Sequence, residues 1–314
     1  MNVLVVPTIR ENSILEFLNH WDQECWTVIV IEDNPQKSFR LIDVEHHYSW
    51  EEIDKELGED SWIISRRDSA IRSFGFLMAH RMGAEYIFTL DDDCHRAEPE
   101  FIYGHVNKLE NSPRWTESVP GQRTRGLPYR NLGKFSNVVL NVGLWEGVAD
   151  FDAVHILGAN IPEKVDLPNY NRLLPQGQYF PMCGMNMCFK REITPLMYFP
   201  LMGEGYPYRR FDDIWCGVIM KKICDHLDLL VSVGKPFINH TKASDTFVNL
   251  AKEAPGIGAN ETFWEKIDAI PLTGVSTPEK CMLEIGYGLR SIDDDYLRKL
   301  GEAIIIWSNL FTPS

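Results

Sequence analysis

The chain has 314 residues, of which 44% are hydrophobic and 11% aromatic, so it is long and apolar enough to bury a sizeable core. Its 31 basic and 45 acidic residues give a net charge of −14, which argues against a nucleic-acid-binding surface or an anionic-membrane patch. The seven cysteines are scattered and form no C-x-x-C pair, so neither a zinc knuckle nor a redox motif is indicated, and reduced thiols are expected.

Strand and helix patterns alternate along the first 90 residues. Short apolar runs predict four strands, at 3–7, 26–31, 62–65 and 86–90. A helix capped by Asn12 or Ser13 follows the first run, and another helix before the fourth run ends at Gly83 in the C′ position. This alternation predicts an α/β fold with a doubly wound, mostly parallel sheet flanked by helices.

Three adjacent aspartates, Asp91, Asp92 and Asp93, directly follow the fourth predicted strand. Three neighbouring anionic side chains repel one another, and a divalent cation that bridges the phosphates of a ligand removes this penalty. Ligands of open α/β sheets bind beyond the carboxyl ends of the strands, and carboxylate and phosphate oxygens are what Mg²⁺ and Mn²⁺ prefer. The triplet therefore predicts the metal–diphosphate site of an enzyme that handles a nucleotide-sugar.

A second triple aspartate, at 293–295, has a different context. It follows no apolar strand and precedes apolar residues at helical spacing, from Tyr296 to Trp307. Ser291 and Asp294 form an S-x-x-D pattern, which is typical of a helix N-terminus where acids are favoured by the helix dipole. We therefore interpret this triplet as a helix cap and not as a ligand site.

Further polar side chains lie at the ends of the first three predicted strands. The carboxylate of Asp33 could accept the imide N–H of uracil, and backbone groups around Thr8 could pair with its carbonyl. Three arginines could neutralise phosphate or hold Asp68, namely Arg10, Arg67 and Arg72. Each arginine alone is equally well explained as a solvated surface charge, and it is their shared position at strand ends that favours nucleotide binding.

The pattern becomes less regular after about residue 111. Long loops are predicted at 114–134 and 158–178, strands at 137–144, 229–233 and 236–239, and a helix at 211–227. His240 follows the last of these strands and could supply a further metal ligand, with Lys242 beside it as a point charge on phosphate. A core histidine bonded to the backbone is the simpler explanation of His240 taken alone.

Paired acids open the helix predicted at 211–227. Asp212 and Asp213 could hold sugar hydroxyls or act as a base, and helix capping is the alternative explanation. The chain contains no G-x-x-x-x-G-K-[ST], no G-x-S-x-G, and no G-x-G-x-x-G after its first strand, so kinase, serine hydrolase and dinucleotide oxidoreductase functions lack support.

Nine stretches of the chain together resemble the reversibly glycosylated polypeptide family, also called UDP-arabinopyranose mutases. They run in order from residue 5 to residue 253 and are VVPTIR (5–10), SRRDSAIRSFGF (65–76), YIFTLDDDC (86–94), RGLPY (125–129), GLW with DFDA (143–145 and 150–153), FPMCGMN (180–186), RRFDDIWCG (209–217), KKICDHL (221–227) and HTKASDTFVNLAKE (240–253). The number and order of these stretches make the resemblance specific.

The resemblance implies a glycosyltransferase-A-type fold and a Mn²⁺- or Mg²⁺-dependent enzyme that interconverts UDP-L-arabinopyranose and UDP-L-arabinofuranose without flavin. It implies that Asp91 to Asp93 is the metal–diphosphate motif and that Arg125 is the arginine associated with reversible glycosylation. Our own hypothesis is that Asp91 and Asp93, with His240, hold the metal and that Asp92 lies at the nucleotide. We expect a catalytic domain at 1–260 and a C-terminal helical extension at 261–314.

Two other functions stay open at this point. One is a glycosyltransferase, or a self-glycosylating protein, that moves a sugar from a UDP-sugar to an acceptor. The other is a UDP-sugar-binding scaffold protein without catalysis. In each case a UDP-sugar is the expected partner, no nucleic acid is expected, and homo-oligomerisation is left open. Because the N-terminus is not a signal peptide and no apolar run could span a bilayer, no membrane insertion and a cytoplasmic location are expected.

Overall fold

One mixed sheet organises the fold of the computed structural model, which describes residues 1–21, 26–42, 44–119, 121–135, 137–148, 150–159, 170–241, 244–274 and 277–312. Within these ranges the strands are β1 (Asn2–Thr8), β2 (Thr27–Glu32), β3 (His46–Tyr48), β4 (Tyr86–Leu90), β5 (Cys94–Arg96), β6 (Val138–Gly147), β7 (Asn171–Leu173), β8 (Asn186–Lys190) and β9 (Leu230–His240). Their order is β3-β2-β1-β4-β8-β6-β9-β5, and β7 pairs with β9.

Helices cover both faces of this sheet. In the described ranges they are α1 (Glu11–His20), α2 (Trp50–Leu57), α3 (Arg72–Arg81), α4 (Phe101–Asn111), α5 (Ala153–Gly158), α6 (Asp212–His226), α7 (Thr246–Asp268), α8 (Pro278–Arg290) and α9 (Asp295–Asn309). Short 3₁₀ helices occupy Gly58–Ile63, Ser69–Ile71 and Arg191–Leu196. None of the helices in these ranges combines the length and the apolar character that a membrane crossing demands.

The hydrophobic core forms two layers, one on each face of the sheet, and β1 contributes side chains to both. Val3 and Val5 belong to the layer that contains α3, and Leu4 and Val6 belong to the layer that contains α1. This follows from the alternation of side chains along a strand. A Cβ at Gly75 of α3 would lie 2.3 Å from Cγ1 of Val5, so glycine at this position lets the helix approach the sheet closely.

The predicted mostly parallel sheet is in fact mixed. β1 pairs in parallel with β2 and β4, as predicted, but β8 runs antiparallel to both β4 and β6. No strand was predicted at Asn186–Lys190, since this short apolar run lies directly after an irregular segment. Its direction depends on how the long connection after β6 returns to the sheet, and hydrophobic periodicity carries no information about that.

Several element predictions are confirmed and one is wrong. β4, β6 and α6 lie where they were predicted, and Gly83 follows α3 with a φ of +76°. The run at 62–65 is not a strand, because it lies at the end of the 3₁₀ helix Gly58–Ile63, where the Ile64 N–H donates to Ser61 O at 3.1 Å. The third strand is instead the short polar edge strand β3. Strand β9 joins the two strands predicted at 229–233 and 236–239.

The C-terminal part of the chain is helical, as predicted. The structure places residues 260 and 261 together inside α7, and the division into domains at this position stays a prediction. Trp307 of α9 is fully buried and donates its indole N–H to Pro195 O at 2.9 Å, which anchors α9 to the 3₁₀ helix Arg191–Leu196. Asp294 caps α9, because its Oδ1 accepts from the Leu297 N–H at 2.9 Å.

The two neighbours Asp293 and Asp294 give a matched test of the capping interpretation. We expect Asp294→Ala to lower the free energy of unfolding by about 1 kcal/mol, because the N–H of Leu297 loses its acceptor. The side chain of Asp293 is fully exposed, so Asp293→Ala should change the free energy of unfolding by less than about 0.5 kcal/mol. Urea unfolding of both variants measures the difference, and equal effects would contradict the cap.

Candidate active site

A cleft of about 760 Å³ lies at the carboxyl ends of β1, β2 and β4. These strands are parallel neighbours, so Thr8, Asp33 and Asp91 come to the same edge of the sheet. The start of α6, the end of β9 and the first turns of α7 complete its walls. The size and the position of this cleft are those of a small-molecule site in an α/β fold.

Charged side chains dominate the cleft. Its described lining includes nine aspartates, which are Asp33, Asp68, Asp91, Asp92, Asp93, Asp150, Asp212, Asp213 and Asp245. It also includes six basic side chains, which are Arg10, Arg67, Arg72, Arg209, Arg210 and Lys252. Carboxylates outnumber the cations, so the cleft needs protons or a bound cation to lower its electrostatic free energy.

The three acids of the first triplet have different surroundings. Asp92 is buried, accepts the Thr8 hydroxyl at 2.5 Å and pairs with Arg10, so these three predicted nucleotide-binding residues bind one another. Burial opposes the charge of Arg10, but the hydrogen bond and the charge of Asp92 raise the pKa of Arg10 above its ordinary value. Asp92 therefore holds the end of β1 against the end of β4.

Asp91 is paired with Arg72, a fully buried arginine at the start of α3. The same guanidinium donates to the Thr89 hydroxyl at 3.0 Å and to Gly184 O at 2.6 Å. Burial works against its charge, and Asp91 nevertheless raises the pKa of Arg72. Arg72 thus links the acid triplet to the segment that precedes β8.

Asp93 faces His240 across the pairing of β5 with β9. Cys94 is the register partner of His240, which brings Asp93 Oδ1 to 4.0 Å from His240 Nε2. His240 Nδ1 lies 3.0 Å from Val148 O, so this nitrogen donates to the backbone and Nε2 is left as an acceptor. Burial and the charge of Asp91 raise the pKa of Asp93, against the opposing effect of His240.

The pair Asp93 and His240 fits a divalent cation as a partial ligand set. Two ligands at about 2.1 Å from one ion lie at most about 4.2 Å apart, so a separation of 4.0 Å is compatible with a shared ion. Among the described residues no group of three His, Cys, Asp or Glu side chains has metal-binding spacing. Substrate phosphates and water would complete the coordination, as is usual for Mg²⁺.

Asp33 and Arg67 form a second corner of the cleft around Trp50. Asp33 accepts the Trp50 indole N–H at 2.7 Å and the Asp68 N–H at 3.0 Å, and burial raises its pKa. Arg67 donates to Asp33 O at 3.0 Å, and its guanidinium lies 5.0 Å from the centre of the Trp50 ring. This corner offers planar groups and hydrogen-bond partners, which a nucleobase requires.

Asp212 and Asp213 begin α6. The N-cap residue Phe211 makes no side-chain capping hydrogen bond, but Asp213 accepts the Ile214 N–H of the first turn at 2.8 Å, so the capping alternative holds in part. Asp212 is buried and accepts the Ser69 hydroxyl at 2.7 Å, whereas Asp213 accepts the Gly184 N–H at 2.7 Å. Burial and the charge of Asp212 raise the pKa of Asp213 to about 8. Burial also raises the pKa of Asp212, although the Ser69 hydrogen bond and the charge of Arg72 oppose this.

One predicted site residue is not among those that the structure brings together in the cleft, and another cannot be placed. Arg125 is exposed on the loop between α4 and β6 and is not among the cleft-lining residues, and its role stays a prediction. Lys242 lies outside the described residues.

Five charged residues of the cleft were not predicted individually, namely Asp150, Arg209, Arg210, Asp245 and Lys252. All five lie within stretches that resemble the family, which was the only signal available for them. Arg210 pairs with the buried Glu253 at 2.9 Å, and Glu253 also accepts the Ala153 N–H at 2.8 Å. Local periodicity could not reveal these contacts, because they join three separate segments.

Comparison with known proteins shows a single family over nearly the whole chain. The model of the family described as "Reversibly glycosylated polypeptide" matches residues 2–313. UDP-arabinopyranose mutase 1 of Oryza sativa subsp. japonica is 34% identical over 332 residues, covering 97% of this chain and 88% of the relative. UDP-arabinopyranose mutase 1 of Arabidopsis thaliana is 35% identical over 332 residues, which cover 97% of this chain and 90% of the relative. UDP-arabinopyranose mutase 3 of Arabidopsis thaliana is 35% identical over 297 residues, which cover 88% of this chain and 79% of the relative.

The acid cluster predicts how stability depends on pH. The pKa of Asp213 rises from 3.8 to about 8 on folding, so between these values the folded state binds more protons than the unfolded state. Its contribution to stability is therefore present at low pH and is lost as the pH rises through about 8. We expect Asp213→Asn to reduce the fall in melting temperature between pH 6 and pH 9.

Thermal unfolding of the metal-free protein and the variant at several pH values tests this expectation. Asp293→Asn is the matched control, because it makes the same chemical change at a fully exposed carboxylate. The control should follow the unmodified protein. A variant at Asp213 that keeps the full slope would show that this carboxyl group ionises normally.

Proposed function

The chain belongs to the reversibly glycosylated polypeptide family, and we propose that it is a UDP-sugar mutase that interconverts UDP-L-arabinopyranose and UDP-L-arabinofuranose. The observation that carries the proposal is the acid-rich cleft at the sheet edge, in a chain of which 97% aligns with proteins named UDP-arabinopyranose mutase. We further propose that the fold is a variant of the glycosyltransferase-A type. The parallel strands β2, β1 and β4, the last of which ends at the acid triplet, and the antiparallel β8 beside β4 support this assignment.

The corners of the cleft suggest how a UDP-sugar is bound. We assign the uracil to the corner of Asp33, Arg67 and Trp50, where hydrogen-bond acceptors and a stacked guanidinium are present. The diphosphate lies in this proposal between the acid triplet and the cations of α7 and of the segment before α6. Arg209 and Lys252 suit this role, because neither has a carboxylate partner within the described ranges, unlike Arg10 and Arg72.

Asp93 and His240, with Asp91 beside them, are the residues that would hold Mn²⁺ or Mg²⁺. The bound ion would neutralise charge on the diphosphate leaving group. The Val148 carbonyl orients His240, and Arg72 orients Asp91, so the protein holds these side chains in place before substrate enters.

The sugar occupies the remaining wall of the cleft, at Asp212 and Asp213. In the proposed reaction the anomeric C–O bond breaks, UDP stays bound, and the sugar changes between six- and five-membered rings before the diphosphate recaptures it. The carboxylates stabilise the positive charge that develops at the anomeric carbon.

We propose that no flavin takes part, because the connection after β1 lacks the glycine fingerprint of dinucleotide binding. The six free cysteines of the described chain accord with a reducing, cytoplasmic site of action.

Incubation of the purified protein with UDP-L-arabinopyranose and Mn²⁺, followed by separation of pyranose and furanose forms, tests the function. The proposal predicts UDP-L-arabinofuranose without added acceptor. Steady UDP release without furanose would indicate a glycosyltransferase or hydrolase instead. Metal-dependent UDP binding with neither product would indicate a scaffold protein.

Replacement of Asp93 tests the metal assignment. We expect Asp93→Ala to lower turnover by about 100-fold or more, because even outer-shell changes at metal sites cost about 10–100-fold. Mn²⁺-dependent binding of UDP, measured by calorimetry, should weaken in parallel. Asp293→Ala alters the other triple aspartate and should leave both measurements unchanged. Substantial activity of the Asp93 variant would overturn the metal site.

A further inference from the structure

Three carboxylates on one wall of the cleft have no ion-pair partner. Within the described residues, Asp68, Asp212 and Asp213 accept hydrogen bonds only from neutral donors, which are the Ala70 N–H, the Ser69 hydroxyl and the N–H groups of Gly184 and Ile214. Arg72, whose charge acts on Asp212 and Asp213, is paired with Asp91. Buried like charges without a counter-ion cannot all ionise, so this cluster retains a proton.

The proton lies where a substrate can reach it. Asp212 is only 2% exposed, whereas Asp68 and Asp213 are half-buried, and all three line the cleft. The backbone N–H of Gly184, donating at 2.7 Å, fixes the carboxyl group of Asp213 in position. Burial and the charge of Asp212 raise the pKa of Asp68 well above its ordinary value, as they raise that of Asp213.

Ring contraction of the sugar requires a proton to move. When the C1–O bond to the diphosphate breaks, UDP leaves with the electron pair and C1 becomes an oxocarbenium carbon bonded to ring oxygen O5. The O4 hydroxyl attacks C1 and loses its proton to a base. The C1–O5 bond then breaks, and O5 keeps the electron pair and takes up a proton. The β-phosphate oxygen adds to C1 of the five-membered ring.

The two proton transfers balance, and no oxidant or reductant is needed. O4 and O5 are bonded to the same carbon in the bicyclic intermediate, so both lie within reach of one group of carboxyls. A cluster that holds one proton contains both an acid and a base at once, which suits this exchange.

We propose that the carboxyl group of Asp213 gives its proton to O5 during ring contraction, while an ionised carboxylate of the same cluster, Asp68 or Asp212, takes the proton from O4. This inference rests on the mutase function proposed above. It assigns to the acids of α6 a chemical step, in addition to the electrostatic stabilisation of the sugar.

Other charged and titratable groups also face Asp213. Asp68 caps the 3₁₀ helix Ser69–Ile71, and Arg72 begins α3. Asp150 precedes α5, and Cys183 precedes β8. Asp212 and Cys216 belong to α6. Burial raises the pKa values of both thiols well above their ordinary value, so neither carries charge near neutral pH. The carboxyls and Arg72 therefore set the protonation of Asp213, and Arg210 acts in addition on Asp212.

The test compares Asp213→Asn with the unmodified protein in two measurements. We expect furanose formation to fall by about 10²–10⁴-fold, the usual contribution of general acid–base catalysis. The dissociation constant of UDP-L-arabinopyranose with Mn²⁺ should change by no more than a few-fold, because an amide keeps the shape of the carboxyl group. Asp213→Glu should restore part of the activity, and Asp293→Asn should behave as the unmodified protein.

A pH profile separates catalysis from a structural role. Furanose formation by the unmodified protein should fall above about pH 8, where the acid form of Asp213 is lost, and the residual activity of Asp213→Asn should lack this limb. An active Asp213→Asn, or one that loses substrate binding together with turnover, would overturn the proton-transfer role alone. An unmodified protein that binds UDP-L-arabinopyranose without forming furanose would overturn the mutase function and this inference with it.

Discussion

Crowding of carboxylates at one edge of the sheet is the constraint on which the rest of the site depends. Nine aspartates line the described cleft, and two arginine pairs offset part of their repulsion. Arg72 is only 2% exposed, and a buried guanidinium is tolerable only with a partner, so Arg72 and Asp91 stabilise each other. Arg10 does the same for the buried Asp92. The carboxylates that these two arginines do not compensate are available to bind a cation or a proton.

This constraint divides the acid triplet into separate roles. Asp92 is buried and ties β1 to β4, while Asp93 faces His240 and is contacted by Arg10 only at 3.5 Å. Arg72 extends the arrangement, because the same guanidinium binds Asp91 and the carbonyl of Gly184, whose N–H in turn holds Asp213. The proposed diphosphate corner and the proposed sugar wall are therefore parts of one hydrogen-bonded unit.

The errors of the sequence-based predictions have the same physical origin. The apolar run at 62–65 was read as a strand, since short apolar runs do not distinguish a strand from a buried turn. The real third strand, β3, is polar and lies at the sheet edge, where little burial is required. Strand β8 was missed because its place between β4 and β6 depends on a long connection. In each case tertiary packing decided the structure against the local pattern.

By itself the sequence determined the features that depend on neighbouring residues. These include the strand that ends at Leu90 before three acids, the helix that Asp294 caps, and the motifs that identify the family. Only the tertiary structure decided which acids pair with arginine and which lie together without an ion-pair partner. The contact of Thr8 with Asp92 spans 84 residues and that of Ser69 with Asp212 spans 143. Charge compensation acts through space, so it is settled only when the sheet brings these segments together.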